Sequence, residues 1–185
     1  CDESHPLAFA DITYGFYSVF ANLYGLDAEV IPLREDFSLD AEAFCGKDGL
    51  TVITNPNAPT GMALPLAAIE EIVSSSRGVV LVDEAYVDFG AESAVNLIDQ
   101  YDNLLVVQTF SKSRSMAGAR LGFVFGNAAL IADLERIKYA TNPYNINRLT
   151  QAAGAQALEE DDYFRANCRR IIETRNYVSA ELQKR

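Results

Sequence analysis

The stretch "LLVVQTFSKSRSMAGARLGFVFG", residues 104–126, places a short polar loop between two apolar segments. The segments 104–110 and 121–126 are rich in β-branched and aromatic residues, a composition typical of buried strands. Similar apolar runs occur earlier in the chain, at residues 28–33, 50–54 and 78–83. The pattern predicts strands of one central sheet, with a loop that carries a single lysine among three serines.

Helical patterns alternate with these predicted strands. Residues 14–25 and 64–76 are amphipathic, and residues 92–101 give a shorter and weaker helical pattern. In the second of these segments one apolar stripe is formed by Leu66, Ile69, Ile72 and Val73. Strands that alternate with helices predict an α/β layer architecture with a mostly parallel central sheet.

The character of the chain changes after Gly126. Residues 127–141 predict a helix that Asn127 caps, and Pro143 ends that pattern. From there to residue 185 the sequence is helical with no strand, so we divide the chain into a core, 1–142, and a helical segment, 143–185. Because neither end carries a start or stop signal, both are expected to be cuts through a longer protein.

The composition excludes several classes of function. The 185 residues carry a net charge of −11, which argues against nucleic acid or an anionic membrane as a partner. Three cysteines, at 1, 45 and 168, lie far apart, and His5 is the single histidine, which we expect at the surface. No disulfide framework, metal site or Ser-His-Asp triad is therefore predicted. Without a long apolar run or a signal peptide, the expected location is cytoplasmic.

Polar residues follow three of the predicted strands directly. The segments are "NPNAPTG" (55–61), "DEAY" (83–86) and "SKSRS" (111–115). Because open parallel sheets bind ligands beyond the carboxyl ends of their strands, we expect these segments to meet at one edge of the sheet.

Asp83 ends the run "VVLV", where a carboxylate needs a cation or a hydrogen-bond donor. It could cap a helix, form a salt bridge, or face a cation of a ligand. A Walker B strand would look similar, but it requires an upstream GxxxxGK[ST] loop that the sequence lacks. The turn "NPNAPTG" is either a plain connection or a rigid holder for an asparagine amide.

Lys112 stands among groups that could bind an anion. These are Thr109, Ser111, Ser113, Ser115 and Arg120, which would otherwise form a solvated polar loop. An amine beside a phosphate site and opposite a carboxylate suits pyridoxal 5'-phosphate. A lysine bonds the aldehyde carbon of that cofactor, and a carboxylate keeps its ring nitrogen protonated.

The three motifs "NPNAPTG", "DEAYVDF" and "TFSKSRSMAGARLGF", in this order and spacing, resemble the fold-type-I aminotransferases, and the histidinol-phosphate aminotransferases most of all. "DITYGFYSVFANLYG" and "PYNIN" resemble that family too. The resemblance covers the whole chain, which corresponds to the middle of a typical member. It implies a three-layer large domain built on a mostly parallel sheet and followed by helices that lead to a small domain.

The resemblance implies three catalytic residues. Lys112 would bond the cofactor and carry a proton, Asp83 would partner the ring nitrogen, and Tyr86 would donate to the phenolic oxygen. The phosphate would lie on Ser111 and Arg120, with Thr109 as a further candidate.

Two residues near the cofactor ring leave alternatives open. Tyr14 would stack on the ring face, or else be a core tyrosine at a helix start. The family commonly has asparagine before "PTG", where this chain has Ala58. Asn57, adjacent to it, is the remaining candidate for that amide.

The implied function is transamination from an amino-phosphate alcohol such as histidinol phosphate to the 2-oxo acid 2-oxoglutarate, in histidine biosynthesis, by a homodimer. A threonine-phosphate decarboxylase would share the site and is the alternative. A third hypothesis is a catalytically incomplete core, since the family's upstream phosphate loop and its C-terminal small domain lie outside this sequence. On that hypothesis the polypeptide alone is a poor transaminase.

Overall fold

The computed structural model describes residues 5–184, and its centre is a six-stranded sheet. Across the sheet the strands run in the order β2-β1-β3-β4-β5-β6, and β6 alone is antiparallel to its neighbour. This arrangement confirms the predicted α/β architecture with a mostly parallel sheet. The strands are β1 (Leu7–Ala10), β2 (Ala28–Ile31), β3 (Leu50–Thr54), β4 (Val80–Asp83), β5 (Leu104–Thr109) and β6 (Gly122–Gly126).

The helices fall largely where the sequence predicts them. They are α1 (Phe16–Tyr24), α2 (Ala41–Phe44), α3 (Leu66–Ser75), α4 (Ala128–Thr141), α5 (Arg148–Glu159) and α6 (Asp161–Leu182). The Asn127 side chain accepts a hydrogen bond from the Ala129 amide, which confirms it as the cap of α4. The weak pattern at 92–101 gives only a short 3₁₀ helix, Ala94–Leu97.

Strand β1 was not predicted from the sequence. Its four residues, "LAFA", are all buried, and two of them are alanines with a low preference for strands. A strand covered on both faces shows no alternation, and four residues are too few to identify by length. Nevertheless β1 lies between β2 and β3, so its carboxyl end adds residues 11–14 to the edge where the other motifs lie.

Helices cover both faces of the sheet. On one face the α3 residues Ile69, Ile72 and Val73 pack with Val80 and Val82 of β4, which confirms the predicted stripe. On the other face Ala21 of α1 packs with a smaller cluster that includes Leu7, Phe9 and Val52. The outward side of α1 keeps five large apolar residues 42–69% exposed, namely Phe16, Val19, Phe20, Leu23 and Tyr24.

Three further findings concern residues 5–184. His5 is exposed, as predicted, and Cys45 and Cys168 are free thiols, while Cys1 lies outside the described residues. Among these residues no cluster of histidine, cysteine and carboxylate side chains has the makings of a metal site. None of the helices in this range combines the length and apolar character needed to cross a membrane.

Candidate active site

A cavity of about 380 Å³ lies at the carboxyl ends of β3, β4 and β5. The register pairs Thr54 with Asp83, and Asp83 with Val107, so these strands end side by side. The cavity brings together seven of the eight site residues predicted from the sequence: Tyr14, Asp83, Tyr86, Thr109, Ser111, Lys112 and Arg120. It does not bring Asn57 to its wall.

Asp83 is held at both carboxylate oxygens. Oδ1 accepts a hydrogen bond from the Ala85 amide at 3.0 Å, and Oδ2 accepts one from the Tyr17 hydroxyl at 2.6 Å. Both partners are neutral donors, so neither hydrogen bond cancels the negative charge of the carboxylate. The side chain is only partly buried and lines the cavity, which leaves it able to meet a cation there.

Tyr17 was not predicted as a site residue. Its pKa is raised well above the ordinary value, first because burial disfavours the phenolate and second because Asp83 is negatively charged. The hydroxyl therefore stays protonated and acts as a donor. A weak signal for it exists in the sequence, because Tyr17 follows the predicted ring partner Tyr14 by three residues, a spacing that places side chains on one side of a helix.

The loop after β5 is closed by backbone hydrogen bonds. The Phe110 amide donates to the Leu121 carbonyl at 3.1 Å, and the Met116 amide donates to the Phe110 carbonyl at 2.9 Å. The Thr109 hydroxyl joins both ends, since it accepts from the Ser111 amide at 3.0 Å and donates to the Leu121 carbonyl at 3.3 Å. Because that proton is already given to a carbonyl, Thr109 shapes the loop, and its contact with a phosphate stays a prediction.

Two polar residues of this loop are used for packing. The Ser113 hydroxyl donates to Asp88. The Arg114 guanidinium donates to the Ala157 carbonyl and lies 3.9 Å from the ring centre of Phe164. These contacts attach the loop to the segment after β4 and to α5 and α6. Of the anion-binding set considered from the sequence, Thr109, Ser111 and Arg120 line the cavity with Lys112, and Ser113 and Ser115 do not.

Lys112 and Tyr86 lie next to each other on the cavity wall. The Lys112 Nζ is 5.0 Å from the centre of the Tyr86 ring, so the ammonium faces the π-electrons of the phenol. Lys112 and Tyr86 thus line the same cavity from two separate strand ends, β5 and β4.

Arg120 has an unusual backbone conformation for a residue with a side chain. Its φ of 54° and ψ of 44° lie in the left-handed region, which costs free energy for any residue except glycine. Its guanidinium donates to the Ala117 carbonyl at 3.2 Å and lines the cavity. An arginine kept at a position that favours glycine motivates a functional role for its side chain.

Asn57 is buried within the turn and uses its whole amide there. Its Nδ2 donates to the Ile12 carbonyl at 2.9 Å and to Thr60 Oγ1 at 3.1 Å, and its Oδ1 accepts from Thr13 Oγ1 at 2.8 Å. Ala58, not Asn57, lines the cavity. A contact between Asn57 and a cofactor stays a prediction, and it would require the amide to leave these partners.

Next to the partly buried Asp83, the buried carboxylate of Glu84 accepts hydrogen bonds from three donors behind the cavity. It accepts hydrogen bonds from the Ser93 hydroxyl at 2.7 Å, the Ala94 amide at 2.6 Å and Gln108 Nε2 at 2.8 Å. Burial raises the pKa of Glu84, and these donors act in the opposite direction. Gln108 lines the cavity, so Glu84 fixes one further wall residue that sequence reasoning missed.

The family model "Aminotransferase class I and II" matches residues 1–185. A Burkholderia lata protein named histidinol-phosphate aminotransferase 2 is 52% identical over 181 residues, which are 97% of this chain and 51% of that protein. A Clostridium botulinum histidinol-phosphate aminotransferase is 51% identical over 184 residues, 99% of this chain and 52% of that protein. The chain therefore spans about half the length of these curated relatives.

Solved structures show the same fold. A Clostridium acetobutylicum histidinol-phosphate aminotransferase superposes with a TM-score of 0.86 at 24% identity, over 97% of this chain and 56% of that one. A Sinorhizobium meliloti histidinol-phosphate aminotransferase, solved in complex with pyridoxal-5'-phosphate, gives a TM-score of 0.86 at 21% identity, over 96% and 50%.

Proposed function

Because the chain belongs to the class I and II aminotransferases, we propose that its cavity binds pyridoxal 5'-phosphate and serves transamination between histidinol phosphate and 2-oxoglutarate. The observation that carries the proposal is the convergence of Lys112, Asp83, Tyr86 and Arg120 on one cavity from the ends of two neighbouring strands, β4 and β5. The names of the relatives at 51–52% identity support the choice of substrate.

The groups on the cavity wall fit this cofactor chemically. It carries an aldehyde, a phenolic oxygen, a basic ring nitrogen and a phosphate, and the wall offers Lys112, Tyr86, Asp83 and the pair Ser111 and Arg120. When bound, pyridoxal 5'-phosphate supplies a carbon that takes up the amino group and a ring that delocalises negative charge.

Each residue then has a task that follows from its own chemistry. Lys112 would hold the aldehyde carbon through Nζ, with the aldehyde oxygen leaving as water, and would hold or move a proton at Nζ once the substrate amine has replaced it. Asp83 would keep the ring nitrogen protonated through its negative charge. Tyr86 would donate a hydrogen bond to the phenolic oxygen, and Ser111 and Arg120 would orient the phosphate. Tyr14, which is 55% exposed, is free to lie against the ring face.

Covalent labelling tests the proposal directly. The chain is incubated with pyridoxal 5'-phosphate, reduced with borohydride, digested and mapped by mass spectrometry. We expect the pyridoxyl group on Lys112, because this amine lines the cavity beside Tyr86. Labelling of Lys47 or Lys138 instead, or equal labelling of a Lys112→Ala variant, would contradict the assignment.

The same preparation distinguishes the reactions. Formation of glutamate from 2-oxoglutarate with histidinol phosphate supports the aminotransferase, whereas release of carbon dioxide from threonine phosphate supports the decarboxylase. Labelling of Lys112 without turnover of either substrate would support the third hypothesis, a core that binds the cofactor and is not sufficient for catalysis.

A homodimer is part of this proposal. The exposed apolar side of α1, which contains Phe20 and Leu23, supports it, because contiguous apolar surface marks association sites. We expect sedimentation velocity to show a species of twice the chain mass at micromolar concentration. A monomer at every concentration tested would contradict the proposal.

A cytoplasmic location is also proposed, since phosphorylated substrates do not cross membranes unaided.

A further inference from the structure

We propose that Tyr17 is a positioning residue: its hydroxyl fixes the Asp83 carboxylate in the orientation that meets the ring nitrogen of the cofactor. The inference rests on the proposed function for the identity of the ligand. The contact between Tyr17 and Asp83 belongs to the chain itself and is testable without a cofactor.

Two hydrogen-bond donors of the chain hold the Asp83 carboxylate. A side chain held at one oxygen can still turn about its own bonds, whereas one held at both oxygens cannot. Asp83 is held by the Ala85 amide at Oδ1 and by the Tyr17 hydroxyl at Oδ2. Because each carboxylate oxygen has two acceptor positions, both anchors leave acceptor capacity for a further donor from the cavity.

Tyr17 is itself held in place by neighbouring side chains. Its ring packs 6.1 Å from the Phe9 ring and 5.7 Å from the Tyr14 ring, measured between centres. Its hydroxyl also lies 3.3 Å from Thr54 Oγ1. Packing against Phe9 of β1 and against Thr54 at the end of β3 fixes the Tyr17 side chain. The hydrogen bond from Tyr17 then fixes the orientation of the Asp83 carboxylate.

Two hydrogen bonds connect Thr54 to the turn at 55–61. The Thr13 hydroxyl donates to Asn57 Oδ1 at 2.8 Å, so the hydrogen bond of 2.9 Å between Thr54 and Thr13 takes its proton from Thr54. The Tyr17 proton goes to Asp83, so no proton remains for the 3.3 Å approach of Tyr17 and Thr54, which is a packing contact. The hydrogen bonds from Asn57 therefore end at Thr54, the residue against which the Tyr17 hydroxyl packs.

The charges around Tyr17 favour the direction of the hydrogen bond. The titratable groups that act on it are Asp83, from β4, and Tyr14, from the segment before α1. Burial and the neighbouring carboxylate both raise the pKa of Tyr17, so its hydroxyl is protonated and acts as the donor to Asp83.

The first experiment measures this coupling without cofactor. The chain is labelled with ¹³Cζ-tyrosine, the Tyr17 resonance is assigned from its loss in Tyr17→Phe, and alkaline titrations of the parent and Asp83→Asn are compared. Removing the carboxylate charge is expected to lower the proton affinity of the Tyr17 phenolate at least about tenfold. The Tyr101 resonance, from a residue remote from the cavity, is the internal control and should not change.

The second experiment measures the effect on cofactor binding. Tyr17→Phe removes one hydroxyl and keeps the ring, and we expect it to weaken the affinity for pyridoxal 5'-phosphate about tenfold. Tyr101→Phe is the matched control, because the Tyr101 hydroxyl also donates to a carboxylate, Glu70 at 2.9 Å, away from the cavity. That variant should bind the cofactor like the parent.

An unchanged Tyr17 titration in Asp83→Asn would overturn the inference, as would equal cofactor affinity of the two phenylalanine variants. If Tyr17→Phe does not fold, the titration of Asp83→Asn decides alone. Labelling at Lys112 without this coupling would refute the positioning role and leave the proposed function standing. Coupling without labelling at Lys112 would refute the proposed function and leave the Tyr17–Asp83 contact established.

Discussion

On the proposed function, replacing Asp83 by asparagine is expected to lower turnover of histidinol phosphate by about two to three orders of magnitude, with a much smaller loss of cofactor affinity. The magnitude is that of removing one preorganised electrostatic group from a site where charge develops during the reaction. An amide of the same shape keeps the packing but carries no negative charge to hold a proton on the ring nitrogen. Turnover and cofactor affinity are measured on the same preparation.

The structure indicates why this substitution should leave the fold intact. The amide oxygen can accept from the Ala85 amide, as Asp83 Oδ1 does, and the amide nitrogen can donate to the Tyr17 hydroxyl, which is able to accept. No buried group then loses its partner. Asp133→Asn, an equivalent change on the exposed side of α4, is the control and should not alter turnover. Near-normal turnover of Asp83→Asn would remove Asp83 from the mechanism.

The location of the site could be predicted because it follows from the topology of a parallel sheet. Polar residues follow three of the predicted strands directly, and parallel strands bring their carboxyl ends to one edge. Asp83 and Lys112 lie 29 residues apart in the sequence, and yet both line one cavity because β4 and β5 are neighbours. The pattern of apolar residues was sufficient to predict the location of the site, because only the positions of the strand ends were needed and not the contacts of individual side chains.

Hydrogen bonds between distant side chains could not be predicted in the same way. The Tyr17 hydroxyl reaches a carboxylate 66 residues away, and Thr13 reaches Asn57 across 44 residues. Both contacts depend on β1, the strand whose four buried residues show no periodicity. Because β1 was not recognised, the sequence did not place residues 11–17 beside β3. It therefore gave no sign that the Asn57 amide forms hydrogen bonds with Ile12 and Thr13 of this segment.

The polar loop after β5 illustrates a second limit. Its composition predicted an anion site, but composition does not separate donors that face a ligand from donors used for packing. Ser113 and Arg114 are held by Asp88 and by the carbonyl of Ala157, which belong to other elements. Only the three-dimensional positions of those partners assign Ser111, Lys112 and Arg120 to the cavity.

Arg120→Ala is expected to weaken binding of pyridoxal 5'-phosphate about 100-fold, because a charge-assisted contact with a phosphate is lost and the remaining donor is a single hydroxyl, Ser111. Alanine is the informative replacement. It retains a side-chain carbon at a φ of 54°, so the backbone cost remains and only the guanidinium is removed. Glycine would also relax the backbone, and two effects would then be measured together.

The control for Arg120→Ala is a change of ligand. Pyridoxal lacks the phosphate and keeps the aldehyde, the phenolic oxygen and the ring nitrogen, so its weaker binding should be the same in the parent and in the variant. Arg120→Lys should be intermediate for pyridoxal 5'-phosphate, since an ammonium keeps the charge and loses the planar pair of donors. A parallel loss of affinity for both ligands would show that Arg120 holds the loop and not the phosphate. A loss confined to the phosphorylated ligand would assign the guanidinium to the phosphate and explain why an arginine is kept in a conformation that favours glycine.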